Sequence, residues 1–122
     1  MEKKLYREEL TQMEINAHRA SLNGEPAVYC GTYGKYNNGD ISGMWVDVAS
    51  FTDYEEFMEF CERVHADEED VELMFQDYEG FPYSWYCESG MSEETFDRIK
   101  EFAALDNDKR EAYEAYLDNY DS

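Results

Sequence analysis

The chain has 122 residues, enough for one domain, and its 30 acidic residues against 10 basic ones give a formal net charge of −20. Disordered acidic tails are poor in aromatic residues, whereas this sequence is 43% hydrophobic and 16% aromatic, so we expect a folded core. The negative charge disfavours direct binding to nucleic acid or to an anionic membrane, because it repels both.

The negative charge exceeds what solubility requires. A small domain stays soluble with a net charge of magnitude about 2 to 8, and repulsion among surplus charges destabilises a compact fold. A compact chain of this length has a diameter of about 35 Å, and about 34 Å of duplex DNA carries twenty phosphate charges. The surplus charge predicts one of two partner classes: a basic protein, most specifically a DNA-binding protein because of this match in charge per length, or cations, as for a calcium buffer or a halophile-type surface.

The first segment is polar and differs from the rest of the chain. Within residues 2–22, Leu5, Leu10 and Met13 could line one face of a helix, and residues 22–26 (LNGEP) indicate a turn or linker. We therefore treat residues 1–26 as an N-terminal extension, partly helical or flexible. It lacks the apolar core of a signal peptide, and no run of the sequence is apolar enough to cross a membrane, so we expect a cytoplasmic protein.

The next segment predicts a β-hairpin. Residues 27–36 are rich in Val, Tyr and Thr, and residues 41–48 have the alternating pattern of a partner strand. Asn38 and Gly39 lie between them and suit the positive φ angles of a tight turn.

An acidic helix is expected to follow the hairpin. Apolar residues from Tyr54 to Val64 recur at helical spacing, and Thr52 with Glu55 forms a capping-box pattern at the start. The opposite face carries glutamates, with Arg63 as the only nearby base. A solvated helix commonly pairs such glutamates with lysines at i+4, so their absence is the informative feature.

The remainder predicts one strand and two helices. Residues 71–78 fit a third strand that Gly80 ends, helical spacing resumes at Ser92, and a second helix begins at Asp106 or Asp108. The residues expected to face inward on the last helix are Tyr113, Tyr116, Leu117 and Tyr120. The fold class is therefore α+β, with a small antiparallel three-stranded sheet and an acidic helix at residues 27–90 and an acidic helical segment, a helical hairpin, at residues 91–122.

No catalytic site, metal site or cofactor is expected. The cysteines Cys30, Cys61 and Cys87 are odd in number and form no C-x-x-C pair, which argues against a disulfide framework or zinc ribbon. Two alternatives stay open: an enzyme that uses Cys61 or Cys87 with His65, and a cation site at residues 67–70, although this run lacks the EF-hand pattern.

Three short motifs carry a resemblance to a known family. They are YNNG at residues 36–39, GMWVD at residues 43–47 and QDYE at residues 76–79, with the acidic helix between the second and the third. In this order and spacing, residues 27–83 resemble the N-terminal domain of the ArdA antirestriction family. The helices after Ser92 are similar to that family's helical middle region.

The resemblance implies an elongated, acidic mimic of B-form DNA that is not an enzyme. Such proteins occupy the DNA-binding groove of type I restriction–modification enzymes, at the methyltransferase core, and so protect incoming mobile DNA. The chain differs from the family in its N-terminal extension and in ending before the C-terminal domain through which members dimerise, so its oligomeric state stays open. An alternative partner is another DNA-binding protein, such as a CRISPR effector or a transcription regulator.

Binding by mimicry would spread over many weak contacts. Acids at i and i+4 of a helix lie about 6 Å apart along the axis, about two phosphate steps of one DNA strand. Trp45 and Tyr78 are expected to serve the core, and Asn38 with Gly39 the turn. The acids expected to form the DNA-mimicking surface are Asp47, Asp53, Glu55, Glu56, Glu59, Glu62, Asp67, Glu68, Glu69, Asp70, Glu72, Asp77, Glu79, Glu111, Glu114 and Asp118.

Overall fold

The computed structural model describes residues 4–120, and describes side chains up to residue 117. It contains one sheet and five helices within this range, together with 3₁₀ turns at Val48–Ser50 and Tyr83–Trp85. The three strands are antiparallel in the order β2-β1-β3, which confirms the predicted α+β class. The elements are α1 (Gln12–His18), β1 (Ala27–Thr32), α2 (Tyr33–Asn37), β2 (Met44–Asp47), α3 (Tyr54–Val64), β3 (Leu73–Glu79), α4 (Glu93–Ala103) and α5 (Asn107–Tyr120).

The core lies on one face of the sheet, where α3 and α4 cover it. Val28 and Cys30 of the central strand are buried there, opposite Val46 of β2 and Phe75 of β3. Phe57 of α3 is fully buried at the centre. Its ring centroid lies 5.4 Å from that of Phe51, 6.0 Å from Phe75 and 5.5 Å from Phe96. Stacked and edge-to-face rings at such distances gain more than their buried area alone.

The connection between β1 and β2 differs from the predicted tight turn. The first strand ends at Thr32, whose side chain accepts a hydrogen bond from the Lys35 amide and caps the short helix α2. Asn38 has φ of −98°, and only Gly39 has the positive φ, of 78°. The strands are paired as predicted, but one helical turn joins them, because the Thr32 cap favours a helix over a continued strand.

Helix starts follow caps that the sequence only partly indicates. The predicted capping box of Thr52 and Glu55 is wrong: Asp53 is the N-cap of α3, and its side chain accepts a hydrogen bond from the Glu56 amide at 2.8 Å. An aspartate caps as well as a threonine, and its negative charge also interacts favourably with the positive N-terminal end of the helix dipole. Asp106 accepts from the Lys109 amide at the start of α5, which confirms one of the two predicted positions.

The aromatic residues of α5 are more exposed than predicted. Tyr113 is 41% exposed and Tyr116 is 58% exposed, so the expectation that both face inward is wrong, and Tyr120 lies beyond the described side chains. Tyr113 nevertheless packs against Trp85 and Phe102. A last helix has the core on one side only, which leaves part of its apolar stripe to solvent.

Residues 4–20 form a segment that crosses α3, here named the strap. Among residues 4–20 only Gln12–His18 is helical, and Met13 is 82% exposed whereas Leu10 packs against the core, so the prediction that Leu5, Leu10 and Met13 line one helical face is wrong. The strap is held partly by backbone hydrogen bonds: the Tyr6 amide donates to the Ala66 carbonyl, and the Ala20 amide donates to the Trp45 carbonyl. Side chains add to this, because His18 stacks on Phe51 and Leu10 packs against the core. The division into residues 1–26, 27–90 and 91–122 stays a prediction.

Candidate partner-binding surface

The outer face of α3 carries the α3 acidic row, defined as Glu55, Glu59 and Glu62. Residues four and three positions apart lie on one helical face, and Glu55 and Glu59 are exposed while Glu62 is half-buried. The inner face buries Phe57, Phe60 and Cys61 in the core, which fixes the direction of the row. Two further predicted acids flank it: Asp53 as the cap, and Glu56, whose carboxylate lies 3.9 Å from His18 Nε2.

The acidic run at residues 67–70 splits into two inward and two outward residues. Asp67 accepts a hydrogen bond from Lys35 Nζ at 2.9 Å, and Glu68 accepts one from the Thr32 hydroxyl at 2.6 Å. Glu69 and Asp70 are exposed, as is Glu72 just before β3. Internal partners therefore engage the carboxylates of Asp67 and Glu68, which makes these two predicted residues less available to a binding partner.

His65 explains why this loop turns inward. Its ring is fully buried, Nε2 donates to the Cys30 carbonyl at 3.0 Å, and Nδ1 is left to accept from Lys35 Nζ at 3.0 Å. A buried ammonium group needs compensating partners, and Asp67 supplies the negative one. The two acids nearest His65 are thereby part of the fold.

A second acidic group lies on the face of the sheet opposite the core. Directly paired residues of neighbouring strands share a face, so Asp47 and Glu79 flank Ala27, and Asp77 lies beside Tyr29. Asp77 is exposed, whereas Asp47 and Glu79 are half-buried. Burial raises the pKa of Asp47, and the nearby Glu25 carboxylate raises it further.

The two predicted scaffold aromatics lie on opposite faces of the sheet. Trp45 is half-buried beside Tyr29, at a ring distance of 5.8 Å, on the same face as the three acids. Tyr78 packs against the core with Phe81 and Tyr86. Tyr78 therefore serves the core as expected, whereas Trp45 packs on the outer face.

A third acidic group lies on α5. Glu111 and Glu114 are exposed and line an open cavity of about 570 Å³ together with Glu79 of β3. This cavity brings the sheet group and the α5 group together. Asp118 lies on the same helix, but its side chain is outside the described residues.

Basic side chains are largely engaged inside the fold. Each of five binds protein carbonyls or carboxylates, so the exposed acids dominate the outer surface. Arg7 donates to carbonyls of the loop that follows α3, and Lys100 to the carbonyls of Phe51 and Thr52. The five are Arg7, Lys35, Arg63, Lys100 and Arg110.

One ion pair that was not predicted from the sequence attaches the strap beside the α3 acidic row. Arg63 of α3 binds both carboxylate oxygens of Glu14, at 2.6 and 2.9 Å, and also donates to the carbonyls of Glu8 and Glu9. Thr11 and Glu14 form a complete capping box. The T-x-x-E spacing at residues 11–14 was the signal that could have located this helix start.

Protonating Glu14 is expected to loosen the strap. The Arg63 guanidinium, with the Thr11 amide, lowers the pKa of Glu14 from its ordinary value of 4.5 to about 2. The pair therefore stabilises the folded state fully above that ordinary value and loses its contribution as the pH falls towards the lowered one. We expect the stability advantage of the wild type over Glu14→Gln, measured by urea unfolding, to be present at neutral pH and to vanish on acidification.

The matched control is Glu9→Gln, which removes a strap carboxylate that has no ion pair among the described residues. It should show little stability difference from the wild type at neutral pH. An advantage of wild type over Glu14→Gln that stays constant down to pH 2 would contradict the role of the Glu14–Arg63 pair.

The three cysteines differ in burial. Cys30 and Cys61 are buried and Cys87 is exposed. Burial raises the pKa of the Cys61 thiol, which disfavours its reactive thiolate. Between residues 4 and 120, no group of three or more His, Cys, Asp or Glu side chains is arranged to hold a metal ion.

One family of known proteins matches most of this chain. A family model described as antirestriction protein (ArdA) matches residues 28–122. The chain belongs to the ArdA antirestriction protein family. The ArdA match begins within β1, so the strap lies outside it. No curated protein and no solved structure matches the chain. Within the part of the chain that the structure describes, no helix of this ArdA protein is long and apolar enough to cross a membrane.

Proposed function

We propose that this ArdA protein is a DNA mimic that blocks the DNA-binding groove of a type I restriction–modification enzyme, at its methyltransferase core. Family membership supports antirestriction as the activity. The observation that supports the mimicry is the asymmetry of the charges. The acids of α3, the sheet and α5 are exposed or half-buried at the surface, whereas the five basic side chains Arg7, Lys35, Arg63, Lys100 and Arg110 are bonded within the fold.

The proposed mechanism is electrostatic and needs no catalytic step. A groove that binds DNA carries Lys and Arg side chains, and binding releases the condensed counterions of the phosphates. The α3 acidic row presents glutamates at helical steps of about 6 Å and about 4.5 Å along the axis, and the sheet and α5 groups extend the negative surface. The buried aromatic core holds these elements in fixed relative positions, so the groove does not have to order a flexible chain.

Competition with DNA tests the proposal. A purified type I methyltransferase is bound to labelled duplex DNA, the protein is added, and DNA release is followed by fluorescence anisotropy across a salt series. We expect release at low salt that weakens steeply as salt rises, because exposed charges are screened within about 10 Å at 0.1 M. The control protein is a neutral domain of similar size, which should release no DNA.

Absence of release at low salt would contradict the type I target. The same assay with other DNA-binding proteins, including CRISPR effectors and transcription regulators, would then test the alternative partner class. Release that is unaffected by salt would contradict mimicry by charge, because a surface interaction between many exposed charges must weaken with screening.

A further inference from the structure

A small aromatic cavity lies apart from the α3 acidic row, between the Tyr83–Trp85 turn and helices α4 and α5. Its volume is about 230 Å³, below the range of about 300–1,000 Å³ of sites for drug-sized molecules. A cavity of this size suits one side chain of a partner rather than a helix or a cofactor. Its lining residues are Trp85, Arg98, Glu101, Phe102, Leu105 and Tyr113.

Three aromatic rings build the wall of this cavity. The Trp85 centroid lies 5.6 Å from that of Phe102 and 5.8 Å from that of Tyr113, with interplanar angles of 86° and 64°. Rings packed edge to face leave part of their faces open, and Trp85 and Tyr113 are both partly exposed. The face of an aromatic ring attracts cations, most strongly for Trp. Phe102 already has the guanidinium of Arg110 at 5.6 Å from its centroid.

The charges at the rim favour a cationic occupant. The Glu101 carboxylate is exposed and has no hydrogen bond or ion pair to any residue that the structure describes. The one basic lining residue, Arg98, is paired with Glu94 at 2.9 Å. The cavity therefore offers a carboxylate next to open ring faces, inside a protein of net charge −20.

We propose that this cavity receives an arginine side chain of the DNA-binding partner. The inference rests on the proposed function, which requires a partner rich in Lys and Arg. Arginine fits better than lysine because its planar guanidinium stacks on aromatic faces and presents several donors to one carboxylate, whereas lysine is a compact and strongly hydrated charge. ArdA would then combine diffuse charge on the acidic groups with one shaped contact at Trp85, Tyr113 and Glu101.

The test uses small probes on the full chain, independently of any restriction enzyme. N-acetyl-arginine amide is titrated into the protein, and the indole N–H signal of Trp85 is followed by NMR, with that of Trp45 as an internal reference. The lysine and norleucine analogues control for charge alone and for an apolar side chain. We expect a saturable shift at Trp85 with the arginine probe and weaker binding of both analogues.

Two variants on α4 localise the contact. Glu101→Gln removes the rim carboxylate and should weaken arginine binding by about two- to fivefold, the range of an exposed ion pair. Asp97→Asn removes one charge from an exposed residue of the same helix outside the cavity lining and should change the affinity less. Both positions are on the surface, so both variants should fold.

Several outcomes would overturn the inference. They are the absence of a saturable shift at Trp85, equal binding of the lysine analogue, equal binding of the norleucine analogue, and equal effects of the two variants. The DNA-displacement assay is scored separately. Displacement without arginine binding would overturn the cavity and leave the proposed function standing, whereas arginine binding without displacement would count against the function alone.

Discussion

A Glu55→Gln/Glu59→Gln/Glu62→Gln variant is expected to release DNA from the methyltransferase about 3- to 160-fold less effectively than the wild type at low salt. Each removed carboxylate loses an exposed ion pair worth about 0.2–1 kcal/mol, and the three losses should add because the contacts are spread along α3. The fold should persist, since removing like charges at i and i+4 relieves repulsion within the helix. The measurement is the protein concentration for half-maximal DNA release.

The control removes the same number of charges from outside the predicted surface. Glu88→Gln/Glu93→Gln/Asp97→Asn alters three exposed residues and leaves both the α3 acidic row and the Glu94–Arg98 pair intact. Because both variants have the same net charge, a specific surface should separate them, and only the α3 variant should lose potency. Equal losses would mean that total charge, not its placement, determines displacement.

Phe57→Ala is expected to lower the free energy of unfolding by about 3–5 kcal/mol, the range for truncating a buried phenylalanine. Phe57 is fully buried and contacts Phe51, Phe75 and Phe96, so its removal opens a cavity at the junction of α3, β3 and α4. Such a loss is a large share of the free energy of unfolding of a typical domain, which is about 5–15 kcal/mol in total. Urea unfolding followed by circular dichroism measures it without adding salt.

Tyr83→Ala is the matched control, because this aromatic side chain is 75% exposed. Surface substitutions of this kind usually change stability by less than about 0.5 kcal/mol. If Phe57→Ala were as mild as Tyr83→Ala, α3 would not be held by the aromatic core, and the fixed placement of its acidic row would need another cause.

The parts of the fold with strong periodicity were predictable. Apolar spacing between Tyr54 and Val64 gave α3, and spacing after Ser92 gave α4, because in both cases a continuous stripe faces the core. β3 was also predicted, within two residues at its start and one at its end. The three motifs predicted the family that the family-model match then established.

Local competition between caps explains two of the errors. The T-x-x-E pattern occurs at Thr11 and at Thr52, but only Thr11 forms the box, because Asp53 is better placed to cap α3. Thr32 similarly ends β1 by capping α2. A sequence lists every residue able to cap, whereas the tertiary contacts choose among them.

The sequence predicted which acids are candidates for the surface, but not which of them are exposed or engaged by other residues. Asp67 and Asp70 look alike in the sequence, yet Asp67 accepts from Lys35, which lies 32 residues away along the chain. The exposure of Tyr116 likewise depends on how much of α5 the rest of the chain covers. Such long-range pairings carry no periodic signal, so a sequence alone does not separate engaged acids from available ones.

The strap also has a consequence for aggregation. Edge strands present unpaired amide and carbonyl groups that can recruit a second chain into a continuous sheet. Here Arg19 bridges to Val46 and the Ala20 amide bonds to Trp45 at the outer edge of β2, while the Phe75 amide of β3 bonds to the Glu88 carbonyl. Both edges of the small sheet are thus partly closed from within the chain. Under the proposed competition with DNA the protein has to accumulate, and this closure favours accumulation because edge-to-edge association would otherwise consume the protein as its concentration rises.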